Sequence, residues 1–250
     1  MVYKKRFNLI ACEVLFREIC QCASKCSNVI DITFIEQGLH DVGTKLMSER
    51  LQREVDKVDV KKYDTILLCY GLCNNGICNI HSPLPIVVPR AHDCITLLMG
   101  SKERYREYFD GNPGTFFYSA GWLERCRDPA DTEYSVPSQM GVAKTYEEYV
   151  EMYDEETAKY LMDTLGGWLK NYRKTTLINT NVGSEEFYRK TAKQFSDENG
   201  WEFEELIGDT GLIYRLLNGD WNPEDFLILP PSAKIIPSYD ESIICVKAQD

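Results

Sequence analysis

The sequence lacks the features of several common protein classes. No apolar run approaches the roughly 20 residues that cross a bilayer. After the basic start, Lys4-Lys5-Arg6, the apolar stretch is too short for a signal-peptide core and runs into Cys12. We therefore expect a soluble, cytoplasmic protein with no membrane partner.

Motifs for nucleotide and serine chemistry are also missing. The chain has no G-x-G-x-x-G fingerprint, no P-loop ending in Gly-Lys-Ser/Thr and no G-x-S-x-G elbow. Lysine and arginine form no long run, and the net charge is −11. Because an acidic surface repels phosphate backbones, nucleic acid is not an expected partner.

Cysteine is plentiful, with ten in 250 residues. In a small secreted chain such a number would indicate disulfides. In a cytoplasmic chain of this length it favours free thiols, metal ligands or catalysis.

The hydrophobic pattern alternates short apolar runs with helical stretches, which predicts a parallel, doubly wound α/β fold. We expect two Rossmann-like lobes with mainly parallel sheets, residues 1–130 carrying the cysteine turns and residues 131–250 forming the second lobe. Residues 126–144 are typical of a linker or long loop, and residues 145–165 of an acidic helix.

Three cysteines follow N-terminal strands directly, in Ala11-Cys12-Glu13, Gly71-Leu72-Cys73 and His92-Asp93-Cys94. Ligands of open parallel sheets bind outside the carboxyl ends of the strands, so neighbouring strands would bring these thiols together in an interlobe crevice. Three thiolates suit an iron–sulfur cluster with an open iron, or a zinc ion that His92 could complete. Alternatively, cysteine is simply a small residue that fills tight turns.

Other residues of the same turns are candidates with alternative interpretations. His92 is a metal ligand, a general acid or base, or a helix cap. Arg90 is a clamp for a carboxylate or phosphate, or a surface ion pair. With Glu13, these two form the predicted catalytic set. The Gly-rich turn after the third strand either cradles a cofactor anion or simply turns tightly; its candidate residues are Gly71, Asn74 and Gly76.

Cys69, which lies inside an apolar strand, and Cys245 are expected to be structural. Cys20 and Cys22 are expected either to pack on a helix or to face solvent, and a structural role is favoured for Cys26, Cys78 and Cys126. His40 follows a strand end and is a weaker candidate for the crevice.

The turns carry a resemblance to a known family. Ala11-Cys12-Glu13, Tyr70-Gly71-Leu72-Cys73-Asn74 with Gly76, and the run from Pro89 to Ile95 resemble the domain of unknown function numbered 1638. The resemblance extends over nearly the whole chain. It implies a setting in methanogens and other anaerobes, beside corrinoid-dependent methyltransferase systems, and it carries no activity.

Three functions follow as hypotheses. The first is an enzyme or maturation factor of anaerobic one-carbon metabolism that holds a metal ion or cluster and a small-molecule substrate. The second is a metal-free accessory protein that docks a corrinoid protein or methyltransferase, so that any corrinoid would come with the partner. The third is a thiol enzyme with Cys73 or Cys94 as nucleophile and His92 as base.

Overall fold

A computed structural model describes residues 4–37, 44–125, 150–151, 153–165 and 171–247, with the side chains of residues 161–165 left out. Within these ranges the protein is a mixed α/β structure with mainly parallel sheets, as the sequence pattern predicts. Of the helices in this part of the chain, none combines the length and apolar character of a membrane span.

The larger sheet has five strands in the order β2-β1-β3-β4-β8. The first four are parallel, and β8 runs antiparallel to β4. The strands are β1 Arg6–Cys12, β2 Val29–Ile35, β3 Thr65–Cys69, β4 Ile86–Pro89 and β8 Phe226–Leu229.

The second sheet is smaller and wholly parallel. Its order is β5-β6-β7, from Thr115–Ser119, Lys174–Asn179 and Glu202–Ile207. A separate antiparallel pair joins β9 (Lys234–Pro237) to β10 (Ile244–Lys247).

Helices connect and cover these strands. They are α1 Phe16–Lys25, α2 Thr44–Asp56, α3 Cys94–Met99, α4 Lys102–Gly111, α5 Ala120–Arg125, α6 Glu155–Leu165, α7 Glu185–Asn199 and α8 Gly211–Asn218. A short 3₁₀ turn, Glu13–Leu15, leads from β1 into α1. Met47, Leu51 and Val55 are buried at helical spacing on α2. α3 ends at Gly100, whose φ of 80° is the left-handed conformation common at helix C-termini.

Two apolar cores cover the two faces of the larger sheet. Along β3, Leu67 and Cys69 face one core while Ile66 and Leu68 face the other, as the two-residue period of a strand requires. The first core also contains Ile178 of β6, so it joins the two sheets. A third core of aromatic side chains, including Phe116, packs on the smaller sheet.

Two strands belong to other sheets than the expected lobes would give them. We expected β5 with the N-terminal strands, but it pairs with β6, and β8 returns from the C-terminal half to pair with β4. The apolar sequence around Phe226 and Leu229 indicates a buried strand, and both side chains are buried. That sequence does not indicate which strand of the sheet they pair with. The division at residues 130 and 131 stays a prediction. The expected linker 126–144 and the start of the acidic helix lie outside the described residues.

Candidate functional site

The candidate site lies at the carboxyl edge of the larger sheet. β1 ends at Cys12, and the chain passes Cys73 soon after β3 and Cys94 soon after β4. Since β1, β3 and β4 are parallel neighbours, all three turns emerge at the same edge.

Two of the turns are fastened to each other by backbone hydrogen bonds. The Leu72 amide donates to the Ala91 carbonyl at 2.8 Å, and the Cys73 amide donates to the His92 carbonyl at 2.9 Å. Gly71 permits this approach, because a Cβ there would lie 2.5 Å from the Cα of Asp93. A backbone bridge therefore sets the spacing between the turn of Cys73 and the turn of Cys94.

The turn after β3 has an unusual backbone. Cys73, Asn74 and Asn75 have consecutive φ values of 44°, 54° and 65°, and the Gly76 amide closes the turn on the Cys73 carbonyl at 3.0 Å. The left-handed conformation costs roughly 1–2 kcal/mol for a residue such as Cys73 and less for asparagine, which tolerates it better. Strain of this kind is concentrated at functional sites, where the surrounding structure maintains it.

The three predicted thiols line one small cavity of about 30 Å³, which we call the thiol cavity. Its wall consists of Cys12, Val14, Leu15, Met47, Cys69, Tyr70, Gly71, Cys73, Cys94, Leu97 and Trp122. The volume is enough for one or two water-sized atoms. The structure thus brings Cys12, Cys73 and Cys94 together.

Burial controls the ionisation of these thiols. It raises the pKa of Cys12 to about 12, and it also raises the pKa values of Cys73 and Cys94 well above the ordinary value of a thiol. A negative charge on Cys12 would also raise the pKa of the other two, which shows that the sulfurs are electrostatically close. The thiols are therefore neutral at pH 7 unless a cation enters.

The thiols share a cavity, but their present arrangement is not that of a metal site. Within the described residues, no group of three or more His, Cys, Asp or Glu side chains is arranged to hold a metal ion. Side chains of the thiol cavity would have to reorient before three sulfurs could bind one ion.

A fourth polar group lines the thiol cavity. Tyr70 is only 3% exposed, and no group in the described part of the chain forms a hydrogen bond with its hydroxyl. The sequence analysis did not single out Tyr70, because its position at the end of an apolar run indicates an ordinary buried strand residue. Its place next to the Gly-rich turn was the one available signal.

A larger cavity of about 400 Å³ adjoins the thiol cavity, and Cys73, Cys94 and Trp122 line both. We call it the aromatic cavity, because five rings line it: Phe116, Phe117, Tyr118, Trp122 and Tyr172. Asn74, His92 and Asp93 line it as well. It is formed by the turns after β3 and β4 together with β5 of the smaller sheet, and its volume is within the range of small-molecule sites.

His92 is exposed and lines the aromatic cavity, and its ring centre lies 6.0 Å from that of Tyr105. The helix cap belongs to Asp93 instead, whose Oδ1 accepts from the Thr96 amide at 3.0 Å. Its Oδ2 accepts from the Tyr105 hydroxyl at 3.0 Å. These bonds hold Asp93 while leaving the His92 ring beside the cavity.

The other two residues of the predicted catalytic set have structural partners. Arg90 lines neither cavity and donates to the carbonyls of Pro223 at 2.9 Å, Ser242 at 2.8 Å and Ile244. Glu13 accepts from the Gln37 amide at 2.7 Å. The catalytic roles of Arg90 and Glu13 remain predictions.

The three predicted cofactor-binding residues make close contacts within the protein. Gly71 packs on Asp93, and a Cβ at Gly76 would lie 2.0 Å from the Met47 sulfur. Asn74 lines the aromatic cavity, and its carbonyl accepts from the Thr44 hydroxyl at 2.9 Å. Cofactor binding by these residues remains a prediction.

All nine cysteines that the structure describes are free thiols. Cys69 is buried in its strand, as expected, and Cys20 is exposed. Cys22 and Cys26 donate to the carbonyls of Thr210 and Leu217. The candidates His40 and Cys126 lie outside the described residues.

Comparison with known proteins assigns the chain to a family but does not indicate an activity. Neither a curated protein nor a solved structure matches the chain. One family model, described as a protein of unknown function (DUF1638), matches residues 34–217, a range that includes Cys73 and Cys94 and leaves out Cys12. Since the match covers more than half of the sequence, the chain belongs to the DUF1638 family.

Proposed function

We propose that the protein binds a thiophilic metal ion or an iron–sulfur cluster through Cys12, Cys73 and Cys94. The observation that carries the proposal is that three thiols from three adjacent strand ends line one cavity. Thiolate sulfur favours zinc and iron–sulfur clusters over magnesium or calcium. Three thiolates leave one coordination position open for a substrate atom.

The size of the thiol cavity bears on which group is bound. A volume of about 30 Å³ suits a single ion such as zinc without further opening. A cluster is larger and would need space from the aromatic cavity, with which the thiol cavity shares the walls of Cys73 and Cys94. His92 lines only the aromatic cavity, so it is a candidate ligand for a group that extends there.

The aromatic cavity would receive the small-molecule substrate. Its rings offer apolar contact area, and Asp93 and His92 offer polar contacts beside the two shared cysteines. In an enzyme or maturation factor, the aromatic cavity would hold the substrate next to a metal in the thiol cavity. Placement in anaerobic one-carbon metabolism, with a corrinoid protein or methyltransferase as partner, follows from the family resemblance.

The raised thiol pKa values favour this function over a metal-free thiol enzyme. A nucleophilic cysteine needs a depressed pKa or an adjacent base, and burial raises the pKa values of Cys73 and Cys94. A bound cation would instead deprotonate these thiols and make use of their burial.

The test is metal analysis of protein purified without oxygen. We expect near-stoichiometric zinc, or iron with sulfide and a visible absorption band, in the wild type. The variants C12A, C73A and C94A should each lose most of it. C20A and C245A are controls, because these cysteines line neither cavity. Wild-type protein without metal, or equal loading of all five variants, would refute the proposal.

The proposed partner needs its own experiment. Tagged protein would be recovered from an anaerobe grown on a methylated one-carbon substrate and, in parallel, on a substrate of another kind. A corrinoid protein or methyltransferase recovered only in the first case would support docking. Its absence from both would exclude this partner while leaving metal binding untouched.

A further inference from the structure

The hydroxyl of Tyr70 has no hydrogen-bond partner among the described residues, although the side chain is only 3% exposed. A buried polar atom without a hydrogen bond costs free energy comparable to that of a lost hydrogen bond. Native proteins retain few such atoms, and each one calls for a physical reason.

The position of this hydroxyl suggests the reason. Tyr70 directly follows β3, and its side chain lines the thiol cavity with Cys12, Cys73 and Cys94. The other wall residues that the structure describes are apolar side chains and Gly71, and these offer the phenol no oxygen or nitrogen side-chain acceptor. The available partner is whatever occupies the cavity.

We infer that Tyr70 is a positioning residue whose hydroxyl donates a hydrogen bond to a sulfur of the group bound in the thiol cavity. The inference rests on the proposed function, because neutral thiols are weak acceptors whereas metal-bound thiolates and sulfides are anionic. Hydrogen bonds to such sulfurs orient the ligands and set the affinity or the reduction potential of the bound group.

The experiment compares wild type with Y70F, which removes only the hydroxyl. Y188F is the matched control: Tyr188 is also 3% exposed, but its hydroxyl is bonded to Glu124 and it does not line the thiol cavity. The full-length proteins would be titrated without oxygen with cobalt(II), whose thiolate charge-transfer band reports occupancy. Parallel samples would be reconstituted with iron(II) and sulfide and their midpoint potentials measured.

We expect Y70F to bind cobalt(II) about tenfold more weakly than wild type, the lower end of the effect of losing a partner of a metal ligand. If the wild type instead takes up a cluster, Y70F should have a lower midpoint potential, because the lost bond stabilised the more negative reduced form. Y188F should match the wild type in both measurements. Without metal, Y70F should melt no lower than wild type, since it loses no bond, whereas Y188F should melt lower.

The outcomes separate the two proposals. Wild-type protein that takes up neither cobalt nor a cluster would overturn the proposed function and this inference together. Wild-type protein that loads while Y70F matches it in affinity and potential would overturn the inference alone. A metal-free Y70F that melts well below wild type would also overturn it, because Tyr70 would then be structural.

Discussion

The backbone amide of Cys73 donates a hydrogen bond to the carbonyl of His92 at 2.9 Å. This bond ties the turn after β3 to the turn after β4, so that the two thiols at the shared wall of the cavities are placed by main chain. It makes the geometry of the site depend on close backbone packing at Gly71.

G71A should therefore disrupt both folding and the site. A Cβ at this position would lie 2.5 Å from the backbone of Asp93, and backbone cannot move aside as a flexible side chain can. We expect a loss of about 1–3 kcal/mol in the free energy of unfolding, typical of overpacking, measured by urea denaturation. Metal uptake should fall with it.

G111A is the control for this change. Gly111 ends α4, and a Cβ added there would have no atom within 4 Å, so alanine should leave stability unchanged or raise it slightly. Equal effects of G71A and G111A would mean that close packing at Gly71 is not what holds the turns together.

Much of the site was predictable because it depends on a local rule. Parallel strands end at the same edge of a sheet, so cysteines placed just after three strands were expected to meet, and Cys12, Cys73 and Cys94 line one cavity. The same reasoning could not assign Arg90. Its partners Pro223, Ser242 and Ile244 lie 133–154 residues away, and no local pattern encodes such contacts.

Element types were also predictable, whereas strand partners were not. The apolar run at residues 226–229 indicates a buried strand, but its antiparallel pairing with β4 depends on the path of the intervening chain. The aromatic cavity escaped prediction for the same reason, since it exists only where β5 of the smaller sheet approaches the turn of Cys94.

R90A should destabilise the protein and loosen its C-terminal strands. The guanidinium donates to the carbonyls of Pro223 before β8, Ser242 before β10 and Ile244 in β10. Hydrogen bonds from a charged donor contribute about 1.5–3 kcal/mol. We expect a loss of about 2 kcal/mol and faster hydrogen exchange in residues 234–247.

R106A is the control for Arg90, because Arg106 is exposed and pairs only with the exposed Glu241 among the described residues. Surface pairs of this kind contribute little, so its stability should hardly change. If R90A kept wild-type stability and lost only ligand binding, Arg90 would be the predicted clamp and not a structural tie.

Glu18 should make stability depend on pH. The side chain is fully buried, and one oxygen accepts from the Thr180 hydroxyl at 2.7 Å. The other oxygen has no hydrogen-bond partner within the ranges that the structure describes. Burial raises the pKa of Glu18 above its ordinary 4.5, so the ionised form destabilises the fold. This penalty is absent below pH 4.5, grows as pH rises through the raised pKa and is complete above it.

The measurement is the free energy of unfolding of wild type and E18Q between pH 4.5 and 8. Wild type should gain stability relative to E18Q as pH falls.

Glu124 provides a contrast of opposite sign: burial raises its pKa, but hydrogen bonds from Arg17 and Tyr188 lower it overall. Wild type should therefore lose stability relative to E124Q as pH falls below 4.5. Parallel pH curves for wild type and E18Q would contradict the assignment to Glu18.

Thiol labelling at pH 7 should leave the cavity cysteines unmodified in metal-free protein. Burial raises the pKa of Cys12 from 9.0 to about 12, which lowers its thiolate fraction about a thousandfold. It also raises the pKa values of Cys73 and Cys94. Iodoacetamide followed by peptide mass spectrometry should find the exposed Cys20 modified first. Protein unfolded in urea is the control, since all cysteines should then react at similar rates. Rapid modification of Cys73 or Cys94 in the native protein would instead identify an activated nucleophile and restore the thiol-enzyme hypothesis.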